Sequence, residues 1–424
     1  MGSPVIQSGD YLLELDTGFD AFSFRLDDPL RGQLDNTEFT LGPSTQYADI
    51  TPYTQNINIR RGRRRPLDQF AAGTMTFILD DQIAGGILSP YDESSPYYDP
   101  LNEQAGLAPM RAVRLSREGE LLFVGVVINY DYQFNLAQDN KVTVTCSDAF
   151  YLLAQTVLPE TVVSEELSSA RLITILDLPQ VNYPALTRNI ATGTQTLGAG
   201  VDYDIPNGLN TLQYVGAIQA AERGRIFIDR EGYLTFQPRI GVTTSGPVIS
   251  FADDDPLLAK YQNLQTVFDS SNVVNYAAVQ RAGAPAPEVA EDLSSQATYF
   301  IQAENINDSL LSTDGAALEL AEYLLDGSPA PRFTALTTNF ALLTNPERDA
   351  AATVDIGQTI QVQKTLIGTP SSLTEELSIE GIEHNITVFN GHTITYFTAP
   401  TDLVYLLILG DPEFGRMDSN NVLS

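Results

Sequence analysis

Two histidines and one cysteine are the side chains of this 424-residue chain best suited to acid–base or nucleophilic catalysis near neutral pH. His384 and His392 fall in neighbouring predicted strands of the last third, and Cys146 ends an apolar predicted strand of the first third. No serine stands in the Gly-x-Ser-x-Gly turn that exposes a hydrolase nucleophile. We therefore expect structural or surface roles for both histidines and no catalytic triad.

The acidic residues give little support to hydrolytic chemistry. A set of 54 Asp and Glu produces close pairs by chance. A glycosidase needs two carboxylates across a sugar-binding cleft, where tryptophan serves best as a stacking platform, and this chain has no tryptophan. Asp253-Asp254-Asp255 lacks the spaced acids, central glycine and final glutamate of an EF-hand loop, which favours a solvated turn before Pro256.

Cofactor and metal motifs are also missing from the sequence. The glycines form neither a dinucleotide-binding turn nor a phosphate-binding loop ending in Gly-Lys-Ser/Thr. A single cysteine allows no intrachain disulfide, and no Cys/His set matches a structural zinc site. The sequence therefore predicts no cofactor, no metal and no enzymatic activity.

The one dense basic segment is Arg60-Arg61-Gly62-Arg63-Arg64-Arg65, in a chain whose formal net charge is −31. Taken alone, it is a candidate nucleic-acid arm. In so acidic a chain, pairing with carboxylates is favoured, either within the fold or on a neighbouring subunit, because arginine forms bidentate bonds to them. Arg60, Arg61, Arg63, Arg64 and Arg65 are therefore candidate inter-subunit contacts.

The overall charge also limits the partners. Affinity for phosphate comes mainly from cationic side chains, so most of this surface should repel nucleic acid. The N-terminus lacks a secretory signal, and no apolar stretch approaches the 18 residues of a membrane span. We expect a protein made and folded in a reducing cytoplasm.

Short runs of β-branched and aromatic residues, separated by Gly, Pro, Asn and Asp, predict a mainly β protein. Arg117 to Glu120 is a predicted hairpin turn, and Ser89 to Pro109 is a predicted long surface loop. The following segments are predicted strands: Tyr11 to Leu15, Ile57 to Arg61, Thr74 to Leu79, Arg111 to Leu115, Leu121 to Tyr130, Lys141 to Cys146, Gln265 to Phe268, Val273 to Arg281, Phe333 to Phe340, Thr353 to Ile356, Thr359 to Gln363, Leu377 to Asn385 and Thr393 to Thr398.

The middle of the chain changes character. Asp148, Ser168 and Asn210 can each cap a short helix, and Gly224 is placed to end the third of these. A β-hairpin pattern follows at once, from Arg225 to Gln237. One more helix is predicted after Thr313.

This order predicts two similar all-β units around a mixed insert. The predicted units are a first all-β unit over 1–147, an α/β insert over 148–250, a second all-β unit with one helix over 251–410, and a flexible tail over 411–424.

Several segments resemble minor tail proteins of long-tailed (siphovirus-type) phages of actinobacteria. The resemblance covers Tyr11 to Arg239 well and the remainder only in its general strand pattern. It is carried by Ile57 to Arg63, Leu67 to Asp81, Pro109 to Arg111, Leu122 to Val127, Val142 to Phe150 with Leu153-Ala154, Arg171 to Asp177, Asn189 to Gly193 and Leu212 to Phe236.

The resemblance implies a virion protein of the tail tip, similar to baseplate hubs, whose two barrels per chain let a homotrimer continue a sixfold tail tube. The implied partners are distal tail and tail-tube ring proteins, the tape measure protein, and receptor-binding or tail-fibre proteins. DNA would pass through without specific binding, since acidic walls keep contacts with phosphate weak. The alternatives are a sixfold distal tail ring protein and a tail-associated cell-wall hydrolase.

Overall fold

The computed structural model describes residues 10–18, 47–65, 68–99, 103–135, 140–239, 242–243, 246–368, 372–401, 404–406 and 421–422. The first part of the chain is built from strands. These are β1 (Tyr11–Asp16), β2 (Tyr47–Asp49), β3 (Thr54–Gly62), β4 (Ala71–Asp80), β5 (Tyr98–Asp99), β6 (Gln104–Ala105), β7 (Ala112–Arg117), β8 (Glu120–Gln133) and β9 (Lys141–Ser147), with a 3-10 turn at Thr51–Tyr53.

The middle part mixes helices with short strands. In chain order these are α1 (Ala149–Gln155), β10 (Val157–Leu158), β11 (Glu166–Leu167), α2 (Ser168–Leu176), β12 (Arg188–Ile190), β13 (Thr196–Leu197), β14 (Leu209–Asn210), α3 (Thr211–Glu222), β15 (Arg225–Ile228), β16 (Leu234–Gln237) and β17 (Val242–Thr243), with a 3-10 turn at Ala185–Thr187.

The last part returns to strands. It contains β18 (Ser250–Ala252), β19 (Ala259–Lys260), β20 (Asn263–Val267), β21 (Tyr276–Arg281), β22 (Glu288–Glu291), α4 (Leu293–Tyr299), β23 (Ala303–Ser309), α5 (Asp314–Leu324), β24 (Arg332–Asn339), α6 (Asn345–Thr353), β25 (Thr359–Thr365), β26 (Ser372–Thr387), β27 (Gly391–Pro400), β28 (Val404–Leu406) and β29 (Asn421–Val422), with a 3-10 turn at Phe340–Leu342.

One sheet of 14 strands joins the first and last parts of the described chain. Its main path runs β19-β18-β25-β26-β3-β4-β9-β8-β7-β1-β2, and β20, β24 and β27 branch from β26. The join is the antiparallel pair of β3 with β26, in which Ile59 lies opposite His384. Buried side chains of both parts belong to one continuous hydrophobic core. The first and last parts of the described chain therefore belong to one packed structure.

The 16-residue strand β26 makes this join because its two halves pair differently along one edge. Residues 372–378 pair with β25, and residues 381–387 pair with β3, while β27 occupies the opposite edge. The change falls at an irregularity between Ile379 and Gly381. A Cβ atom at Gly381 would lie 2.4 Å from the carbonyl oxygen of Arg63, so only glycine fits there.

Local sequence signals explain several elements. Glu118 and Gly119 both have positive φ, at 51° and 90°, as expected for the tight turn predicted between β7 and β8. The predicted caps of Asp148, Asn210 and Thr313 are confirmed, since each side chain accepts a backbone N–H of the first helical turn. The hairpin of β15 and β16 is confirmed as an antiparallel pair.

Two details of the predicted helix ends were wrong. The hydroxyl of Ser168 does not cap α2 but donates a hydrogen bond to buried Glu222, 2.7 Å away. The left-handed residue that ends α3 is Arg223, at φ 56°, rather than Gly224. Gly224 is needed for a different reason, since a Cβ atom there would lie 2.2 Å from the carbonyl oxygen of Gln237 on the adjoining hairpin.

Three predicted segments also differ from the structure. Thr353 to Ile356 is not a strand but the end of α6 and the turn after it. Ala282 to Ala290, whose prolines predict a linker, contains part of β22. In its described residues, the loop from Ser89 to Pro109 buries Tyr97 and Leu107, so it is anchored on the fold rather than wholly at the surface. Of the predicted tail, only Asn421–Val422 is described, paired with β28.

Candidate functional site

The arginine cluster divides between the inside and the outside of strand β3. Ile57, Ile59 and Arg61 alternate on the buried face, because successive side chains of a strand point to opposite sides. Arg60, on the other face, is exposed. Arg61 therefore enters the core as part of an apolar row and needs a buried partner for its charge.

That partner is Asp355, in the turn between α6 and β25. The Arg61 Nη1 atom lies 2.7 Å from Oδ1 of Asp355, and both side chains are largely buried. The other oxygen of Asp355 accepts the backbone N–H of Arg230, in the β15–β16 hairpin, at 2.7 Å. A single carboxylate thus ties together the first, middle and last parts of the chain.

A second carboxylate, Glu380, makes a parallel connection at the irregularity in β26. It lies 2.6 Å from Nη2 of Arg63 and 2.6 Å from Nη2 of Arg225, and it is 1% exposed. Burial lowers the pKa of Arg63 from its usual value, although Glu380 acts in the opposite direction. Two guanidinium groups on one buried carboxylate leave a net positive charge at this point, which is unusual in so acidic a chain.

A cleft of about 610 Å³ opens beside this pair and is lined by four arginines. Besides Arg63 and Arg225, these are Arg223, which pairs with Glu304 at 3.4 Å, and Arg239, whose guanidinium carbon lies 4.4 Å from the ring centre of Tyr323. We call this group of side chains, with Arg61, Asp355 and Glu380, the arginine junction. Four acids, Asp68, Glu304, Asp326 and Glu380, line the same cleft. The geometry of the junction can hold three parts of the chain together.

The five arginines predicted as inter-subunit contacts have different surroundings. Arg61 and Arg63 form ion pairs within the chain, with Asp355 and Glu380. Arg60, Arg64 and Arg65 are exposed, and the guanidinium of Arg64 lies 5.3 Å from the ring centre of Phe397. The contact with another subunit stays a prediction, and Arg60, Arg64 and Arg65 are the members of the cluster available to make it.

Sequence reasoning missed the partners of the cluster. Asp355 and Glu380 are two acids among 54, and they lie roughly 300 residues from the arginines that they bind. Strand alternation in Ile57-x-Ile59-x-Arg61 could have placed Arg61 inside the core. No sequence pattern could have supplied its partner.

The residues considered for catalysis are buried. Burial raises the pKa of the Cys146 thiol well above its usual value, so the thiolate is not formed at neutral pH. His384 and His392 contact each other between adjacent strands.

Among the described residues, no group of three or more His, Cys, Asp or Glu side chains is arranged to hold a metal ion. In the same part of the chain, no helix is both long and apolar enough to cross a membrane.

The Asp253 to Asp255 run forms a turn that is tied to a neighbouring strand. Asp253 accepts hydrogen bonds from Lys364 and from the backbone N–H of Thr365. Partial burial acts to raise its pKa, but these bonds outweigh it and bring the pKa down to about 2. This carboxylate is therefore bound by Lys364 and Thr365 within the fold rather than free to bind a metal ion.

Comparisons with known proteins were informative only at the level of structure. No family model matches the sequence, and no curated protein matches it. A tail protein from Neisseria meningitidis MC58 superposes with a TM-score of 0.55 at 11% identity, covering 84% of this chain and 93% of that one. The chain has the fold of a phage-type tail protein.

Two prophage proteins extend this result. The 43 kDa tail protein of prophage MuSo2 from Shewanella oneidensis has a TM-score of 0.52 at 13% identity, covering 84% of this chain and 96% of that one. Prophage tail protein gp18 from Listeria monocytogenes EGD-e has a TM-score of 0.50 at 9% identity, covering 92% and 94%. The predicted fold class, mainly β with a helix-containing insert as in tail hubs, is confirmed.

Proposed function

We propose that this chain is a structural protein of a phage tail tip, a baseplate hub that forms a ring continuing the tail tube. The proposal rests mainly on the tail-protein fold, which is shared over 84% of this chain and over 93% and 96% of the two tail proteins. The wide sheet that runs from the first part into the last supports it, since adjoining tube-type units of one chain would present such a continuous wall. The sequence resemblance favours long-tailed actinobacterial phages as the source.

Under this proposal, three copies present six barrel units, with predicted bounds of 1–147 and 251–410 in each copy. The ring connects the tube and the tape measure protein to receptor-binding or fibre proteins. A net charge of −31 suits a channel wall, because like charge keeps contacts with passing DNA weak. The arginine junction would hold the barrels and the insert in one fixed arrangement within each copy.

The mass of the purified assembly tests this proposal. Light scattering should give three copies for the protein alone, and a larger complex when the adjoining tail proteins are added. A hexamer would favour the distal ring alternative. A stable monomer that cleaves cell-wall material would overturn the structural proposal.

The exposed arginines offer a finer test of the inter-subunit contact. Arg60→Glu, Arg64→Glu and Arg65→Glu, combined in one variant, leave the pairs of Arg61 and Arg63 intact, so unfolding should be nearly unchanged. We expect the trimer to dissociate at concentrations where the unaltered protein stays assembled. The matched control combines Arg60→Lys, Arg64→Lys and Arg65→Lys, which keeps the three charges and should leave the trimer assembled. An intact trimer in the triple variant would remove these arginines from the interface.

A further inference from the structure

Phe300 has a backbone conformation that is almost confined to glycine. It follows helix α4 with φ 59° and ψ 177°, where a side chain is strained against its own backbone. The phenyl ring is nevertheless 82% exposed, and the next side chain, Ile301, is 65% exposed. A bulky residue that is costly to place and buries little of its surface within its own chain indicates a surface used for contact with another molecule.

The strained turn is held in place by a buried amide. Asn275 is fully buried, donates through Nδ2 to the carbonyl oxygen of Phe300 at 2.8 Å, and accepts the N–H of Gln302 at 2.8 Å through Oδ1. The same Nδ2 atom lies 3.1 Å from the hydroxyl of Ser295. The turn is therefore pre-organised, which lowers the ordering cost when Phe300 and Ile301 become buried in a complex.

The charge around this turn defines what it can contact. Between residues 282 and 331 the chain has nine acidic and no basic side chains. The acids are Glu288, Glu291, Asp292, Glu304, Asp308, Asp314, Glu319, Glu322 and Asp326. Two of them form ion pairs within the chain, Glu304 with Arg223 and Asp314 with Arg281. A partner surface should accordingly combine an apolar pocket with cationic groups at its rim.

The same chain carries such a pocket. A groove of about 790 Å³ is lined by Phe340, Ile386 and Phe389, and the guanidinium groups of Arg117 and Arg348 lie at it together with one acid, Asp10. Arg117 pairs with Asp349 and Glu118. Arg348 bonds only to neutral groups among the described residues, the carbonyl of Phe340 and the side chain of Asn345.

The turn and the groove lie at opposite ends of strand β24. Gly327, five residues before Arg332, lies against Asp292 and Ser295 at the start of helix α4, which ends at the Phe300 turn. Asn339 and Phe340 line the groove at the other end of β24. Eight strand residues separate the ends by about 23 Å. A chain cannot insert Phe300 into its own groove, but a second copy can, and such a head-to-tail contact generates a ring when it closes.

We propose that Phe300 and Ile301 of one copy insert into the groove formed by Phe340, Ile386 and Phe389 of the next copy. Arg348 then faces the acidic surroundings of the inserted turn. This inference rests on the ring-forming role proposed above and names the contact that would close the ring. It gives the strained Phe300 turn a role in contact between copies, where the single chain leaves this side chain exposed.

Two substitutions at one position separate folding from association. Phe300→Gly removes both the ring and the strain, while Phe300→Ala removes the ring and keeps a Cβ atom in the strained conformation. We expect both to weaken self-association at least tenfold in sedimentation equilibrium, with Phe300→Gly unfolding at the same or a higher temperature than Phe300→Ala. Phe134→Ala, at another exposed phenylalanine, is the control and should leave association unchanged.

Crosslinking then identifies the receiving surface. A photoreactive benzoylphenylalanine at position 300 should crosslink to residues 339–342 or 386–392 of a second copy. Crosslinks to any other region, or self-association unchanged in Phe300→Gly, would overturn the inference while leaving a tail-tip role intact. A protein that is monomeric yet present in purified tails would also overturn the inference alone, whereas its absence from tails would overturn the proposed function.

Discussion

The Nδ1 atom of His384 lies 2.9 Å from the Nε2 atom of His392, and both imidazoles are buried between strands β26 and β27. The Nδ1 atom of His392 lies 3.0 Å from the hydroxyl of Tyr11, on strand β1. If the Tyr11 hydroxyl donates to Nδ1, His392 must carry its proton on Nε2 and donate to His384. These contacts suit neutral rings, although the buried Nε2 atom of His384 has no hydrogen-bond partner among the described residues. A proton added to either ring would be buried near Arg61 or Arg117.

Acid should therefore destabilise the protein through these histidines. Burial, aided by Arg61, lowers the pKa of His384 to about 3, whereas an unfolded histidine binds its proton near pH 6.5. The free energy of unfolding falls as the pH drops from about 6.5 towards 3, by at most ~1.4 kcal/mol per pH unit for this group. His384→Asn places an amide near the Nδ1 position without a titrating group, so its denaturant midpoint should change less between pH 7 and pH 5. An equal change of the denaturant midpoint with pH in both proteins would contradict the contribution of His384 to acid sensitivity.

The titration of Asp148 should change the stability with pH in the opposite direction to that of the histidines. Burial raises its pKa to about 7, although the N–H groups of Gly73 and Phe150 and the charge of Arg61 oppose the shift. The folded state keeps a proton that the unfolded state loses near pH 4, so stability falls as the pH rises from about 4 to about 7. Asp148→Asn removes this titration, so the stability, which the histidines lower on acidification, should fall more steeply with decreasing pH. The measurement is how the free energy of urea unfolding changes with pH. Its absolute value is not compared, because the asparagine loses one acceptor oxygen and this alters the stability at every pH.

Breaking the pair of Arg61 and Asp355 should be costly. Arg61→Met leaves a buried carboxylate without its cation, and removing one partner of a buried pair typically costs ~3–5 kcal/mol. Chemical denaturation measures this loss, and Arg60→Met, at the exposed neighbour, should change stability by less than about 0.5 kcal/mol. Similar losses in the two variants would show that the junction does not stabilise the fold.

Gly381→Ala should weaken the join between β3 and β26. The added methyl group would lie 2.4 Å from the carbonyl oxygen of Arg63, a backbone atom that cannot move aside without disturbing the strand pair. Overpacking of this kind typically costs ~1–3 kcal/mol. The control is Gly315→Ala in helix α5, where the nearest atom is 3.9 Å away and alanine should be neutral or stabilising by up to ~1 kcal/mol. Thermal unfolding that does not distinguish the two would refute the steric argument.

Local structure was largely predictable from the sequence because its causes are local. Asn210 and Thr313 cap the helices that their positions predict, and Glu118-Gly119 forms the predicted turn. Helix α6 was missed, although Thr344 and Glu347 form a capping box with a readable Thr-x-x-Glu pattern. The proline after Asn345 favours a helix start as well.

The candidate site was only partly predictable because its contacts are distant in sequence. Five clustered arginines were visible, but which of them turn inward depends on the register of β3 against β26. Register is set by packing between segments that lie more than 300 residues apart, and no spacing within either segment encodes it. The strained Phe300 turn was equally hidden, since it depends on the buried amide of Asn275.

The pairing of β3 with β26 also sets the order of events during synthesis. Strand β3 leaves the ribosome long before its partner, and at 5–20 residues per second roughly 15–60 s pass before residue 381 is made. Throughout that interval one edge of the nascent first unit has open backbone hydrogen-bonding groups, which invite pairing with other chains. Translation speed and holdase chaperones should consequently affect the yield of soluble protein more than the stability of the finished fold would suggest.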